Sequence, residues 1–159
     1  MVGKGATLAL LLLGGFRYLA GAAEAELSRQ GFAGLSAASE FALRATAAGA
    51  CSASELARRL DVSKQAAAKT ITSLEERGYL CRADDPNDAR RKLLTVTPRG
   101  YEAMRVGEKI MDDLRAQWES AIGAAEVARL EADLVKLVGA DPVDLSAPGS
   151  VAKDTGEAT

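Results

Sequence analysis

Arg90, Arg91 and Lys92 stand consecutively behind Asp85-Pro86-Asn87-Asp88, in a soluble-looking chain whose formal net charge is −2. Asp first and Pro second is the chemistry of a type I turn. The runs on either side, "YLCR" (79–82) and "KLLTV" (92–96), are rich in β-prone residues, so the stretch reads as a two-stranded hairpin. Its tip would carry Arg90 and Arg91. Guanidinium groups held there can grip phosphates or enter a minor groove, whose negative potential favours them. Asp88 is placed to fix Arg90 through a carboxylate–guanidinium pair.

A second group of polar residues lies just upstream. In "KQAAAKTITSLEER" (64–77), Ala67, Ile71 and Leu74 recur at helical spacing and form one apolar face. Lys64, Gln65, Ala68, Lys69 and Thr72 fall on the opposite face. Amides and cations read base edges in the major groove, and small methyl-bearing residues allow close approach. Taken alone, that face reads equally well as an ordinary solvated one. A basic hairpin directly behind it favours the groove.

These groups need a scaffold, and the flanking sequence supplies one. Ser52 and Glu55 have capping-box spacing, with Leu56, Ala57 and Leu60 as the apolar face of a short helix. That helix stops at Asp61-Val62, Ser63 can cap the next, and Gly78 ends it. Two short helices joined by so tight a turn are a helix-turn-helix, and the hairpin behind them is a wing. Residues 36–48 form a helix capped by Ser36 and closed by Gly49, and Thr97-Pro98 opens another. Met104, Gly107, Met111, Leu114 and Trp118 then repeat at three-four spacing, as do Val127, Leu130, Leu134 and Leu137 in a last helix, 124–138. Residues 5–29 read as one long helix ending near Gly31, apolar on much of its circumference. Such a helix must be covered. The first helix and the last two offer more apolar surface than one small winged lobe can cover, so dimerisation is expected.

Composition excludes several functions. A chain of 159 residues suits one domain. It holds no histidine, which removes Ser-His-Asp and Cys-His catalysis and any His-containing zinc site. Two cysteines cannot complete a four-Cys site. Without a phosphate-binding loop either, no enzyme activity, cofactor or metal is expected. Cys51 and Cys81 read as reduced, buried thiols of a cytoplasmic protein, with no membrane partner. More than half of the 20 Lys+Arg residues fall between Arg58 and Arg105, a local basic footprint that the net charge conceals. "ATLALLLL" (6–13) behind Lys4 and before "AGA" (20–22) has a signal-peptide outline, which makes an exported protein one alternative. Against it, the stripe Ala9, Leu12, Phe16, Leu19, Ala23, Leu27 runs past that would-be cleavage site. A second stripe, Leu8, Leu11, Gly15, Tyr18 and Ala22, lies beside it. The run is also too short to span a bilayer before Arg17 interrupts it, so a buried helix is expected. Residues 140–159, rich in Pro, Gly, Ser and acids, read as a disordered acidic tail.

Over residues 5–138 the chain resembles the MarR family of bacterial transcriptional regulators. "DPNDARRKLLTVTPRG" (85–100) resembles the family's wing and "SASELARRLDVSKQAAAKTITSLEERGYLCR" (52–82) its helix-turn-helix. The resemblance implies a mainly α fold with a small β-hairpin wing in one domain, 1–139. Residues 5–31 and 101–138 would be dimerisation helices and 36–100 the winged lobe. It implies a homodimeric repressor of a pseudo-palindromic operator in double-stranded DNA. Asp88 matches the family's wing aspartate, and Arg90 the arginine that reaches DNA. Ala89 departs from the pattern, where many members carry a second Arg. Ser63, Gln65, Ala68 and Lys69 match the part of the helix that enters the major groove. Family members often respond to small aromatic or phenolic anions, and Phe16, Tyr18, Phe41 and Arg44 are candidates to line such a pocket. Relatives that sense oxidants use a cysteine in the first helix, and this chain has none there. The alternative is a helical dimerisation or adaptor protein without specific DNA binding.

Overall fold

The structure, a computed structural model, describes residues 3–140. The expected tail therefore lies, from residue 141 onward, outside the described residues. The elements are α1 (Lys4–Arg29), α2 (Ala37–Ala47), α3 (Ala53–Leu60), α4 (Lys64–Glu76), β1 (Leu80–Asp85), β2 (Asp88–Val96), α5 (Pro98–Ile122) and α6 (Ala124–Val138). This is a mainly α winged helix-turn-helix, with one antiparallel hairpin as its wing.

Four helices start where a hydroxyl is available to cap them. Ser36, Ser52, Ser63 and Thr97 each accept the backbone N–H three residues on, at 3.3, 3.2, 3.0 and 3.0 Å. The capping box of α3 differs in one respect from its sequence expectation. Glu55 reaches past the cap residue and accepts the Cys51 backbone N–H (3.1 Å), the Cys51 thiol (3.3 Å) and Arg59 (2.9 Å). These donors, the Cys51 N–H foremost, hold the Glu55 carboxyl below its ordinary value of 4.5. Its folded value is depressed, so its contribution is present above the unfolded value and disappears as pH falls through the folded one. Glu55→Gln is expected to cost about 1 kcal/mol at neutral pH, with the gap to wild type closing under acid conditions. Urea titrations of both proteins across that range check it.

Arg59 shows how α3 is fixed to α2. It is 7% exposed and donates to the carbonyls of Ala45 (3.3 Å) and Ala48 (3.1 Å) at the end of α2. The Ala45 carbonyl also accepts the Ala50 N–H at 2.9 Å, and a cation there suits the negative end of the helix. The α3–α4 turn places Asp61 in the left-handed region at φ 50°, the one non-glycine residue there among the described residues. Ala67, Ile71 and Leu74 bury the inner face of α4 in the core cluster that also holds Leu43 and Leu56, as the helical spacing predicts. Tyr79 closes this core from the other side. Its ring is fully buried, and its hydroxyl donates to the Ala33 carbonyl at 3.0 Å.

The wing is longer than its β-prone runs predict. Its strands close to a loop of Pro86 and Asn87 alone. Local pairings compensate for the poor strand propensity of these residues: Lys92 pairs with Asp84 across the strands, and Asn87 N–H donates to Asp85 Oδ1 at 2.8 Å. Leu80 faces Val96 and Asp84 faces Lys92, but Asp85 faces Asp88. Residues 89–91 therefore form a bulge in β2, which turns Arg90 and Arg91 out of the ladder.

The long helices answer the expectation of burial differently. Within one chain α1 buries only Ala23 and Leu27, and Leu8 and Leu11 are 59% and 68% exposed. Among the described residues α1 is the one helix long and apolar enough to cross a membrane, judged by length and composition, despite Arg17. The expected buried helix is thus uncovered over most of its length in the single chain. α6 likewise buries Val127 alone, with Leu137 79% exposed.

Candidate nucleic-acid interface

α4 presents its outer face as the sequence predicts. Ser63, Lys64, Gln65, Ala68, Lys69 and Thr72 are all exposed. The Ser63 oxygen is engaged by the cap, and its hydroxyl proton remains available. Thr72 donates its own to the Ala68 carbonyl at 3.0 Å, so it offers a methyl group and a lone pair outward. Lys64 and Lys69 have no ion pair among the described residues. Glu75, near the end of the helix, accepts from Arg82 of β1 at 2.9 Å and ties the wing to α4.

The three consecutive basic residues of the wing have three different surroundings. Lys92 is taken by Asp84. Arg91 turns back toward the lobe, with Nη2 at 3.6 Å from Cys51 Sγ. The guanidinium of Arg90 has no partner among the described residues and is exposed. Asp88 does not pair with that guanidinium, contrary to expectation. Its Oδ1 accepts the Arg90 backbone N–H at 3.0 Å. The bulge explains the difference: a residue two positions back can reach the local N–H, as in an Asx turn, while the side chain points away. Asp88 thus shapes the backbone that aims Arg90.

The cysteines occupy less protected positions than expected. Cys51 is half-buried and Cys81 exposed. Burial and the adjacent Glu55 push the Cys51 thiol up, against a smaller opposing effect of Arg91, so it stays protonated. Cys81 Sγ lies 3.2 Å from Thr95 Oγ1 across the wing.

The four residues proposed for a pocket do not come together. Phe16 and Phe41 stack with centroids 6.5 Å apart and line a cavity of about 140 Å³ between α1, α2 and α5. Tyr18 lies on the other side of α1 against Trp118, with centroids 6.3 Å apart. Two helical residues turn the side chain by roughly 200°, so positions 16 and 18 cannot share a face. Arg44 is drawn outward to Glu108 at 3.2 Å and does not line the cavity. The sequence reading passed over Glu40, which does line it. A carboxylate one helical turn from Ser36, within the apolar stretch "SAASEFAL", was the available signal.

Comparison with known proteins agrees with this geometry. A family model described as MarR family matches residues 33–91, the stretch from the α1–α2 connection into the wing. A regulatory protein named for the hcr operon of Thauera aromatica is 38% identical over 61 residues, which is 38% of this chain and 37% of that one. The chain thus matches little more than a third of that relative's length. Reduced MarR of Escherichia coli superposes with a TM-score of 0.68 at 23% identity, over 87% of this chain and 98% of that one. A variant of the same MarR, solved with operator DNA, gives 0.63 at 25% identity, over 83% and 94% of the two chains. With a helix-turn-helix, a two-stranded wing and flanking helices in this order, the chain has the fold of the MarR structures and matches the MarR family model over its helix-turn-helix and wing.

Proposed function

We propose that the chain is a sequence-specific DNA-binding transcriptional regulator that acts as a homodimeric repressor of a pseudo-palindromic operator. The observation that carries the proposal is the free state of its cations: Lys64, Lys69 and Arg90 are exposed and without an anionic partner among the described residues, on α4 and the wing. In this reading α4 enters the major groove, where Gln65 and Lys69 meet base edges and Ala68 allows close approach. Ser63, Lys64 and Thr72 flank it, and Arg90 and Arg91 reach backbone or minor groove. That a MarR variant was solved on operator DNA supports the reading.

Residues 5–31 and 101–138 serve as dimerisation helices and 36–100 as the DNA-binding lobe, within one domain spanning 1–139. The uncovered apolar faces of α1 and α6 support that division, since surfaces of this kind mark interfaces. Two-fold symmetry then sets the two α4 helices about 34 Å apart, one turn of duplex. Action on chromosomal DNA requires a cytoplasmic location. A small aromatic ligand seated between α1, α2 and α5 would relieve repression by favouring a spacing of the two lobes that no longer fits the groove.

Binding to DNA from beside the chain's own gene tests this, with salt and unlabelled random competitor titrated together. Retention should survive competitor, and log affinity should fall with log salt at a slope approaching about −7 for four cations in each of two subunits. Sedimentation should give a dimer. Loss of all retention to random competitor, or no retention at low salt, would leave the adaptor reading.

A further inference from the structure

We propose that the cavity between α1, α2 and α5 takes a single-ring aromatic amine, bound as a cation against Glu40. The proposal rests on the ligand-relief reading above and names the chemical class of the ligand. About 140 Å³ is close to the roughly 150 Å³ that suffices for benzene in an apolar protein cavity. Phe16, Leu19, Leu27, Phe41 and Met111 supply apolar walls suited to a ring. The charged residues lining it are Glu24, which is exposed, and Glu40. No lysine or arginine lines it.

Glu40 is the informative residue. Its Oε1 is buried and has no hydrogen-bond partner among the described residues. Its Oε2 lies 4.0 Å from Arg44 Nε, beyond hydrogen-bond reach, because Glu108 holds that guanidinium from α5. A buried acceptor without a donor is costly, and Glu40 is among the residues that line the cavity. A ligand ammonium provides three N–H donors and the opposite charge. Burial already pushes the Glu40 carboxyl up, and Glu108 adds to this while Arg44 opposes it. A carboxylate ligand would bring a further negative charge to a site already lined by two carboxylates, so phenolic and benzoic anions are selected against. The ligand would touch α1 and α5 on one side and α2 of the winged lobe on the other, so its presence reports directly on the spacing between them.

The test titrates the full chain with benzylamine, benzyl alcohol and benzoate, by calorimetry and ligand-observed NMR. Benzylamine should bind at least about tenfold tighter than benzoate. Glu40→Gln should weaken benzylamine about tenfold and leave benzyl alcohol within about twofold. Met111→Trp, which fills the cavity, should abolish binding of both, with melting curves confirming that each variant is folded. Tighter binding of benzoate, unchanged benzylamine affinity in Glu40→Gln, or no binding of any of the three at about 10 mM overturns the proposal. Operator affinity is read separately. Amine binding through Glu40 without release of DNA would sink the relief mechanism and leave the site standing.

Discussion

Arg90→Ala is expected to weaken operator binding about 30-fold while leaving the dimer intact. A guanidinium at a phosphate or minor groove contributes about 1 kcal/mol or more, and a dimer loses two of them. About 2 kcal/mol corresponds to roughly that factor. The slope of log affinity against log salt should become shallower by about 2, since two neutralised phosphates are given up. The neighbouring residues provide the comparison. Lys92 is already paired with Asp84, so Lys92→Ala should change affinity far less than Arg90→Ala. Arg91, turned toward Cys51, should fall between them. Equal effects at all three positions would mean that the wing acts as a diffuse basic patch. An unchanged affinity for Arg90→Ala at moderate salt would remove the wing from the interface.

Gly100→Ala should destabilise the fold by about 2–3 kcal/mol, a large effect for one methyl group. A Cβ on Gly100 would sit 2.3 Å from the Tyr79 carbonyl oxygen and 2.7 Å from Val96 Cγ1. The carbonyl cannot move aside cheaply. It accepts the Thr97 N–H at 3.0 Å and belongs to a fully buried residue whose hydroxyl is tied to Ala33. Overpacking of this kind costs about 1–3 kcal/mol, and a backbone neighbour places it at the upper end. The better helix propensity of Ala returns at most about 1 kcal/mol. A lower urea midpoint at unchanged m-value would show it. Because Tyr79 precedes β1 and Val96 ends β2, the same substitution should also loosen the wing and lower operator affinity. An unchanged midpoint would contradict the close approach of α5 to the wing.

Much of the fold was legible in the sequence because it is decided within a few residues. Ser36, Ser52, Ser63 and Thr97 mark their helix starts by hydroxyls that reach a backbone N–H three positions on. The last helix spans the expected 124–138, and Ala67, Ile71 and Leu74 are buried as a helical period of 3.6 requires. The turn at Pro86-Asn87 follows from its own chemistry. The exposed face of α4 follows too, since a buried face implies its opposite.

The partners of the charged groups came only with the tertiary structure. Asp88 was matched to the Arg90 guanidinium, but a bulge in β2 directs it to the Arg90 backbone, and bulges arise from strand register. Arg59 meets the Ala45 and Ala48 carbonyls only because the end of α2 packs against α3. Phe16 and Tyr18, two residues apart, entered one candidate pocket, although their helical directions send them to α2 and to Trp118. Glu40 gave no sign of its orphaned oxygen, because Arg44, one turn away, would have satisfied it had Glu108 on α5 not been nearer. Local spacing determined the helices, their caps and the exposed basic face. Which charge meets which was decided by through-space packing between segments far apart in the chain, where a shift of a few ångströms separates a hydrogen bond from a free group.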